Sequence, residues 1–206
     1  MTALTAAGKP VASITWTAPS ESAQFREPAD RDFLVSIGLA EEADKLSRFW
    51  PIGGPSWDAL AVLGRGAKED GVLLVEAKSY PDEVYGPGCQ ARDERSLMQI
   101  QGSLQSAQGW FGVARSRDWT GRLYQYANRL AHVYFLRQHL NVEAWLLNVC
   151  FCGDETTRAT SADTWHKAWP TFRRELGFDG PVPWVVDVML PALGRAVLGI
   201  NSSPRE

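Results

Sequence analysis

Apolar residues follow two different spacings along this chain. Helical spacing predicts helices at about 30–49, 93–112, 119–139 and 161–176. Short runs rich in β-branched and aromatic residues predict strands at 13–17, 57–63, 72–77, 142–152 and 184–189. Gly38 is a weak point in the first helix, and Pro170 should kink or split the last one. Helices that alternate with strands in this way indicate an α/β domain.

The second and third predicted strands form a hairpin. Residues 64–71, GRGAKEDG, make a polar segment with a glycine at each end, which is typical of a hairpin loop. If Leu63 and Val72 close the hairpin, the residue numbers of any two facing residues add up to about 135. Asp58 then stands opposite residues 76–77. Because side chains alternate along a strand, Glu76 and Lys78 share one face.

Two carboxylates and one ammonium group therefore meet at the open end of this hairpin. Carboxylates a few ångströms apart repel each other unless a cation lies between them, and hard oxygen ligands suit Mg²⁺. A lysine beside that cation can orient or deprotonate a water molecule whose pKa the metal lowers. The alternative is an edge ion pair between Glu76 and Lys78, with Asp58 merely capping a loop.

Composition narrows the class of protein without naming a function. The chain has 206 residues, 45% hydrophobic and 22% charged, which excludes a disordered tail protein, a collagen-like repeat and a coiled coil. Its three cysteines are too few and too unevenly placed to predict a disulfide framework, and its first ten residues lack the basic start and apolar stretch expected of a secretory signal. No apolar run reaches the ~20 residues of a membrane span. We therefore expect a cytoplasmic protein with no membrane partner.

The charge balance limits how a nucleic acid can bind. A formal net charge of −3 supplies no global basic field, so a phosphate partner needs a local groove or bound metal ions.

The pattern also predicts the organisation of the chain. Residues 1–29 read as an N-terminal arm that contains one strand-like run. Residues 30–200 read as a single α/β domain, and residues 201–206 read as a tail.

Three short motifs resemble the PD-(D/E)XK nuclease superfamily over roughly residues 40–152. They are Trp57-Asp58-Ala59, Val75-Glu76-Ala77-Lys78 and Gln125-Tyr126-Ala127-Asn128-Arg129-Leu130. The likeness is to small bacterial members that carry these three motifs. It implies a restriction-endonuclease-like fold, a three-layer αβα arrangement with a mixed central sheet.

The resemblance also implies roles for individual residues. Asp58, Glu76 and the backbone carbonyl of Ala77 would bind Mg²⁺ or Mn²⁺, and Lys78 would serve the attacking water. Three further residues are candidates for supporting contacts to the metal site or to phosphate: Gln125, Arg129 and, from the first helix, Glu42, with Glu41 as the alternative acid.

The chain departs from the superfamily pattern at two of these motifs. The proline expected before the metal-binding aspartate is absent, and Gln125 is followed four residues later by Arg129 where RecB-like members carry tyrosine. The strand that usually precedes the aspartate has no room after Pro51, and the run at 13–17 is its candidate replacement.

The function expected from these motifs is Mg²⁺-dependent phosphodiester hydrolysis of a nucleic acid, with DNA favoured over RNA. The alternative is a binding or scaffolding module that keeps the nuclease fold but does not catalyse, because fold alone does not imply function.

Overall fold

The structure is a computed structural model that describes residues 13–65 and 68–192. Its strands are β1 (Ser13–Ala18), β2 (Ala59–Arg65), β3 (Lys68–Lys78), β4 (Glu143–Cys152) and β5 (Val185–Pro191). Its helices are α1 (Asp30–Ser36), α2 (Ala43–Phe49), α3 (Glu94–Trp110), α4 (Tyr124–Tyr134) and α5 (Ala162–Leu176). A π-helical turn, Phe135–His139, continues α4, and short 3₁₀ turns lie at Glu21–Ala23, Ala40–Glu42 and Pro81–Val84. None of the helices in the described ranges has the length and apolar content to cross a membrane.

The five strands form one open sheet whose order follows the chain. β1, β2 and β3 are antiparallel neighbours, whereas β4 and β5 run parallel to β3. The α/β class and the mixed sheet are thus confirmed. The run at 13–17 in the predicted arm is part of an edge strand that pairs with β2. Residues 1–12 and the predicted tail at 201–206 lie outside the described residues.

The pairing of β2 with β3 sets the geometry of the candidate site. Ala59 pairs with Val75 and Leu63 with Gly71, so the facing residues sum to 134, one less than predicted. One step beyond Ala59, this register sets Asp58 opposite Glu76. The strands also extend further into the segment predicted as a loop, because a β-ladder is made by backbone groups and does not require apolar side chains.

The first predicted helix is two helices in the structure. Gly38 has a φ of +76°, in the left-handed region that favours glycine, and ends α1. The amide of Leu39 donates to the carbonyl of Leu34 (2.8 Å) and that of Gly38 to Val35 (3.1 Å), the two bonds of a Schellman motif. The prediction of one continuous helix was therefore wrong.

The last helix is not split at Pro170, so that part of the prediction was wrong. A proline removes one backbone hydrogen bond from a helix. Buried aromatic residues on both sides of it, Trp165, Trp169 and Phe172, anchor α5 to the core across the missing bond. Ser161 caps the helix as expected, since its side chain accepts from the amide of Thr164 (3.1 Å).

The two faces of the sheet differ in what covers them. The larger apolar cluster joins the helices to one face, which includes Val72 and Leu74 of β3. A smaller cluster lies on the opposite face, with Leu73, Val75 and Trp145 among its members. Among the described residues, the helices contribute buried side chains only to the larger cluster. Glu76 and Lys78 continue the alternation of Val72 and Leu74, so they lie on the helix side.

Candidate active site

Asp58 lies at the point where the chain enters β2, next to the end of β3. Its Oδ2 accepts a hydrogen bond from the backbone amide of Ala77 (2.7 Å). That bond holds the carboxylate beside the segment Glu76–Lys78, where the hairpin register predicted it. Its other oxygen, Oδ1, accepts no hydrogen bond from the described residues. Asp58 therefore keeps one carboxylate oxygen available to a ligand.

Glu76 lies between two cations. Lys78 Nζ donates to its Oε1 at 2.5 Å, and Arg129 Nε donates to its Oε2 at 2.8 Å. Glu76 is only 8% exposed. A buried carboxylate is stable as an anion when it is paired and hydrogen-bonded in this way. The ion pair between Glu76 and Lys78, which the alternative interpretation required, is therefore present, but both residues face a cavity.

Arg129 is a buried residue of α4 with several fixed contacts. Besides Glu76, its guanidinium donates to Asn128 Oδ1 (2.8 Å) and to the carbonyl of Ser56 (2.9 Å). It also lies over the indole ring of Trp57, 5.2 Å from the ring centroid. These contacts hold the guanidinium against Glu76, which makes Arg129 first of all a partner of that carboxylate. A phosphate contact by Arg129 stays a prediction.

The pKa of Asp58 is raised above its ordinary value. Burial is the largest cause, and the neighbouring charge of Glu76 acts in the same direction. The hydrogen bond from the Ala77 amide and the charge of Lys78 oppose the rise. The ionised form of Asp58 is thus disfavoured in the protein alone, and a bound cation would stabilise it.

A cavity of about 690 Å³ opens over these side chains. Asp58, Glu76 and Lys78 line it, together with Gln125 and Arg129 from α4. The structure therefore brings five of the sequence candidates to one cavity. Ala77 joins them through its amide, and the role of its carbonyl as a ligand stays a prediction.

Glu42 does not belong to this group. It lies in the 3₁₀ turn after α1, and its carboxylate pairs with Lys45 (2.8 Å) rather than facing the cavity. The break at Gly38 separates this turn from α1, which the sequence analysis treated as one helix with it. The structure does not bring Glu42 to the cavity lining, and its contact with a metal site stays a prediction.

Glu27 is a cavity residue that the sequence analysis missed. It lines the cavity, and its charge contributes to the raised pKa of Asp58. The carbonyl of Pro28, next in the chain, accepts a hydrogen bond from the amide of Trp57 (3.1 Å), which draws this segment toward Asp58. No local signal marked Glu27, because it lies in a stretch without apolar periodicity.

The donor set fits one kind of Mg²⁺ site. Within residues 13–65 and 68–192 there is no group of three or more His, Cys, Asp or Glu that could hold a metal ion. Mg²⁺, however, is commonly held by one or two carboxylates together with water and substrate phosphates. Asp58 and Glu76 supply two carboxylates of that type at an open cavity. Neither side chain is a soft ligand, so the pair suits a hard cation.

A second polar group lies farther along the same face of the sheet. In register, Glu76 pairs with Asn148 of β4, and Asn148 pairs with Asp187 of β5. Asn148 Nδ2 donates to Asp187 Oδ1 (2.8 Å), and Arg173 of α5 pairs with the other oxygen of Asp187. The structure thus contains a second carboxylate–arginine pair, two strands away from the first.

No protein-family model, curated protein or solved structure matches this chain. The resemblance to the PD-(D/E)XK superfamily therefore rests on the three motifs alone, and membership of that superfamily stays a prediction.

Proposed function

We propose that this protein is a Mg²⁺- or Mn²⁺-dependent nuclease that hydrolyses phosphodiester bonds of nucleic acid with Asp58, Glu76 and Lys78. One observation carries the proposal: these three side chains, predicted from their spacing, line one cavity of about 690 Å³. Two of the three, Lys78 and Glu76, are in contact, and a basic residue beside a carboxylate is the combination that metal-assisted hydrolysis uses.

Each residue has a distinct task in this proposal. Asp58 and Glu76 would hold the cation, which supplies charge neutralisation at the scissile phosphate and lowers the pKa of a bound water. Lys78 would orient that water, since its amine lies 2.5 Å from Glu76 Oε1 and has further N–H groups to donate. Arg129 would hold Glu76 in one orientation through its fixed contacts.

The charge of the cavity supports the metal in this proposal. Its charged lining residues are four acids and two bases: Glu27, Asp58, Glu76, Asp93, Lys78 and Arg129. Both bases are already paired with Glu76. A nucleic-acid phosphate would meet a net negative surface there, so a divalent cation has to bind first.

The finer description of the fold belongs to the same proposal. A mixed α/β sheet with the acids at the end of a hairpin supports a restriction-endonuclease-like core. The three-layer αβα arrangement and the preference for DNA over RNA are expectations from the resemblance.

A catalytically silent binding module is the second candidate. One observation favours it: both oxygens of Glu76 are already engaged by Lys78 and Arg129, so a metal ion would have to compete for this carboxylate. In this case the Glu76 cluster would stabilise the fold and the cavity would bind a ligand without turnover.

Calorimetry combined with a cleavage assay tests the proposal. Mg²⁺ and Mn²⁺ would be titrated separately into the wild-type protein and the variants Asp58→Asn, Glu76→Gln and Glu42→Gln. The first two should lose metal binding and cleavage. Glu42→Gln, an acid that pairs with a lysine outside the cavity, is the matched control and should behave like the wild type.

The cleavage assay would offer single-stranded and duplex DNA and RNA with each metal. Wild-type protein that binds neither cation and cuts none of these substrates would remove the nuclease proposal. Metal binding without cleavage would favour the silent module.

A further inference from the structure

Two loops border the cavity on the side of Asp58, and Asp30 joins them. The Asp30 carboxylate accepts hydrogen bonds from the amides of Gly53 (3.1 Å to Oδ2) and Gly54 (2.9 Å to Oδ1). A side-chain carbon at Gly54 would lie 3.2 Å from Asp30 Oδ1, so glycine permits this close approach. Loop 51–55 lines the cavity, as does Glu27 from loop 24–29, the segment that leads into Asp30 at the start of α1. The two loops therefore act as one fixed border.

Each loop presents an exposed apolar side chain. Ile52 is 95% exposed and lines the cavity, and Phe25, two residues before Glu27, is 66% exposed. Neither belongs to an apolar cluster of the fold. Phe25 also has a φ of +56°, a conformation that bulky residues rarely adopt. A single exposed apolar residue needs no explanation, but two on joined loops beside a candidate active site indicate a binding surface.

The charge of this border argues against contact with phosphates. Glu27 adds a further acid to the lining of the cavity, and no lysine or arginine of loops 24–29 and 51–55 lines it. Arg26, the basic residue next to Phe25, is paired with Asp32. A nucleic-acid strand would therefore avoid this border with its backbone. Its bases, which have uncharged apolar faces, suit a phenylalanine ring and an isoleucine wedge. In a duplex these base faces are covered by stacking.

We infer that Phe25 and Ile52 form a base-binding border that selects nucleic acid with unpaired bases, single strands or frayed ends, for the cavity. The inference rests on the proposed function, because it assumes that a phosphate of the same strand enters the site at Asp58 and Glu76.

Binding measurements test this border separately from catalysis. Phe25→Ser and Ile52→Ser would be made in a Lys78→Ala background, which keeps both carboxylates but slows consumption of the strand. Fluorescence anisotropy with Mg²⁺ would compare a labelled single-stranded oligonucleotide with its blunt duplex. Each substitution should raise the Kd for the single strand about tenfold, in keeping with the loss of one base contact. Binding of the blunt duplex, weaker in the parent, should change little.

A matched control and a stacking signal exclude a general loss of stability. Val35→Ser removes another exposed apolar residue, 51% exposed on α1 and outside the cavity lining, and should leave the Kd unchanged. A 2-aminopurine base in the strand should lose fluorescence on binding and keep it in Phe25→Ser. Phe25→Trp should preserve both affinity and quenching, because it retains an aromatic face.

Several outcomes would overturn the inference. They are an unchanged Kd in both serine variants, an equal loss for duplex and single strand, an equal loss in Val35→Ser, or a parent that binds no single strand. If the protein cleaves and the variants bind normally, only the border is wrong. If strands bind through Phe25 and Ile52 but wild-type protein never cleaves them, the proposed hydrolysis is wrong instead.

Discussion

Two carboxylate–arginine pairs lie on the same face of the sheet, and they differ in what surrounds them. Glu76 of β3 pairs with Arg129 of α4, and Asp187 of β5 pairs with Arg173 of α5. Both carboxylates belong to one row across three parallel strands, with Asn148 between them. Judged by the ion pair alone, the two would be equivalent.

The surroundings separate a candidate site from a structural contact. Glu76 has a second carboxylate and a lysine beside it, and all three open onto the large cavity. The oxygens of Asp187 are taken up by Asn148 and Arg173, and Asp187 does not line that cavity. A separate void beside Glu76, Arg129 and Asn148 holds only about 10 Å³, about the space of one water molecule, and Asp187 does not line it either. A buried ion pair therefore marks a site only when unpaired ligand atoms and open space accompany it.

The largest expected effect is a loss of turnover when Lys78, the lysine beside Glu76, is replaced. Lys78→Ala should lower turnover about 10²- to 10⁴-fold, the usual worth of a positioned acid–base group. Metal binding should persist or tighten, because the change removes a positive charge next to Glu76. Single-turnover cleavage and calorimetry would measure the two quantities. A Lys78→Ala variant that retains wild-type turnover would assign Lys78 to the ion pair alone.

The second prediction concerns Asp187 and Arg173, which we call the closed pair because neither lines the cavity; Glu76 and Arg129, which line it, are the open pair. Asp187→Ala should lower the free energy of unfolding by about 3 kcal/mol, because Arg173 would remain largely buried without its partner. Metal affinity should not change, since Asp187 does not contact the cavity. Urea unfolding and calorimetry on the same preparation would check this. Loss of metal binding in a folded Asp187→Ala protein would show that the two pairs act as one site.

The third prediction uses His132, which lies on α4 one turn after Asn128 and shares a hydrogen bond with its carbonyl (2.8 Å). Burial lowers the pKa of His132 from 6.5 to about 4. Between about pH 6.5 and pH 4, His132 is protonated in the unfolded chain but stays neutral in the folded protein. The free energy of unfolding therefore falls as the pH drops through this range.

Because of His132, the free energy of unfolding should be about 2 kcal/mol lower at pH 5 than at pH 7. Urea unfolding at the two pH values would measure the loss, and His132→Gln should reduce the difference between them. An unchanged pH dependence in that variant would place the acid sensitivity elsewhere, for instance near the closed pair.

The smallest expected effect belongs to Asp58. Because its folded-state pKa is raised, wild-type stability falls as the pH rises from about 3.8 through that pKa. Asp58→Asn keeps an acceptor for the Ala77 amide and removes the charge, so it should unfold at a slightly higher temperature at pH 7. The gain should vanish near pH 3, where the aspartate is protonated in both states.

With added Mg²⁺ at pH 7, the wild type should melt at a higher temperature than Asp58→Asn, since a ligand that binds only the folded wild type stabilises it. Thermal melts at both pH values, with and without Mg²⁺, would decide. A lower melting temperature for Asp58→Asn at pH 7 without metal would contradict the raised pKa.

The sequence by itself determined the parts of the site that depend on local backbone geometry. Alternation along a strand puts Glu76 and Lys78 on one face, and pairing across a short hairpin brings Asp58 to them within one residue of the predicted register. The three motifs also singled out Gln125 and Arg129. The positions of Asp58, Glu76 and Lys78 could be predicted because a hairpin forms from neighbouring segments and its pairing rules do not depend on the rest of the chain.

Only the tertiary structure decided which other charges reach the cavity. Glu27 lines it, next to the hydrogen bond that joins Pro28 to Trp57, whereas Glu42 pairs with Lys45 and does not line it. The same holds for the two arginines, since α4 delivers Arg129 to the open pair and α5 delivers Arg173 to the closed one. Such choices depend on how distant helices pack on the sheet. Packing is the sum of many weak contacts between distant segments, which no short pattern in the sequence records.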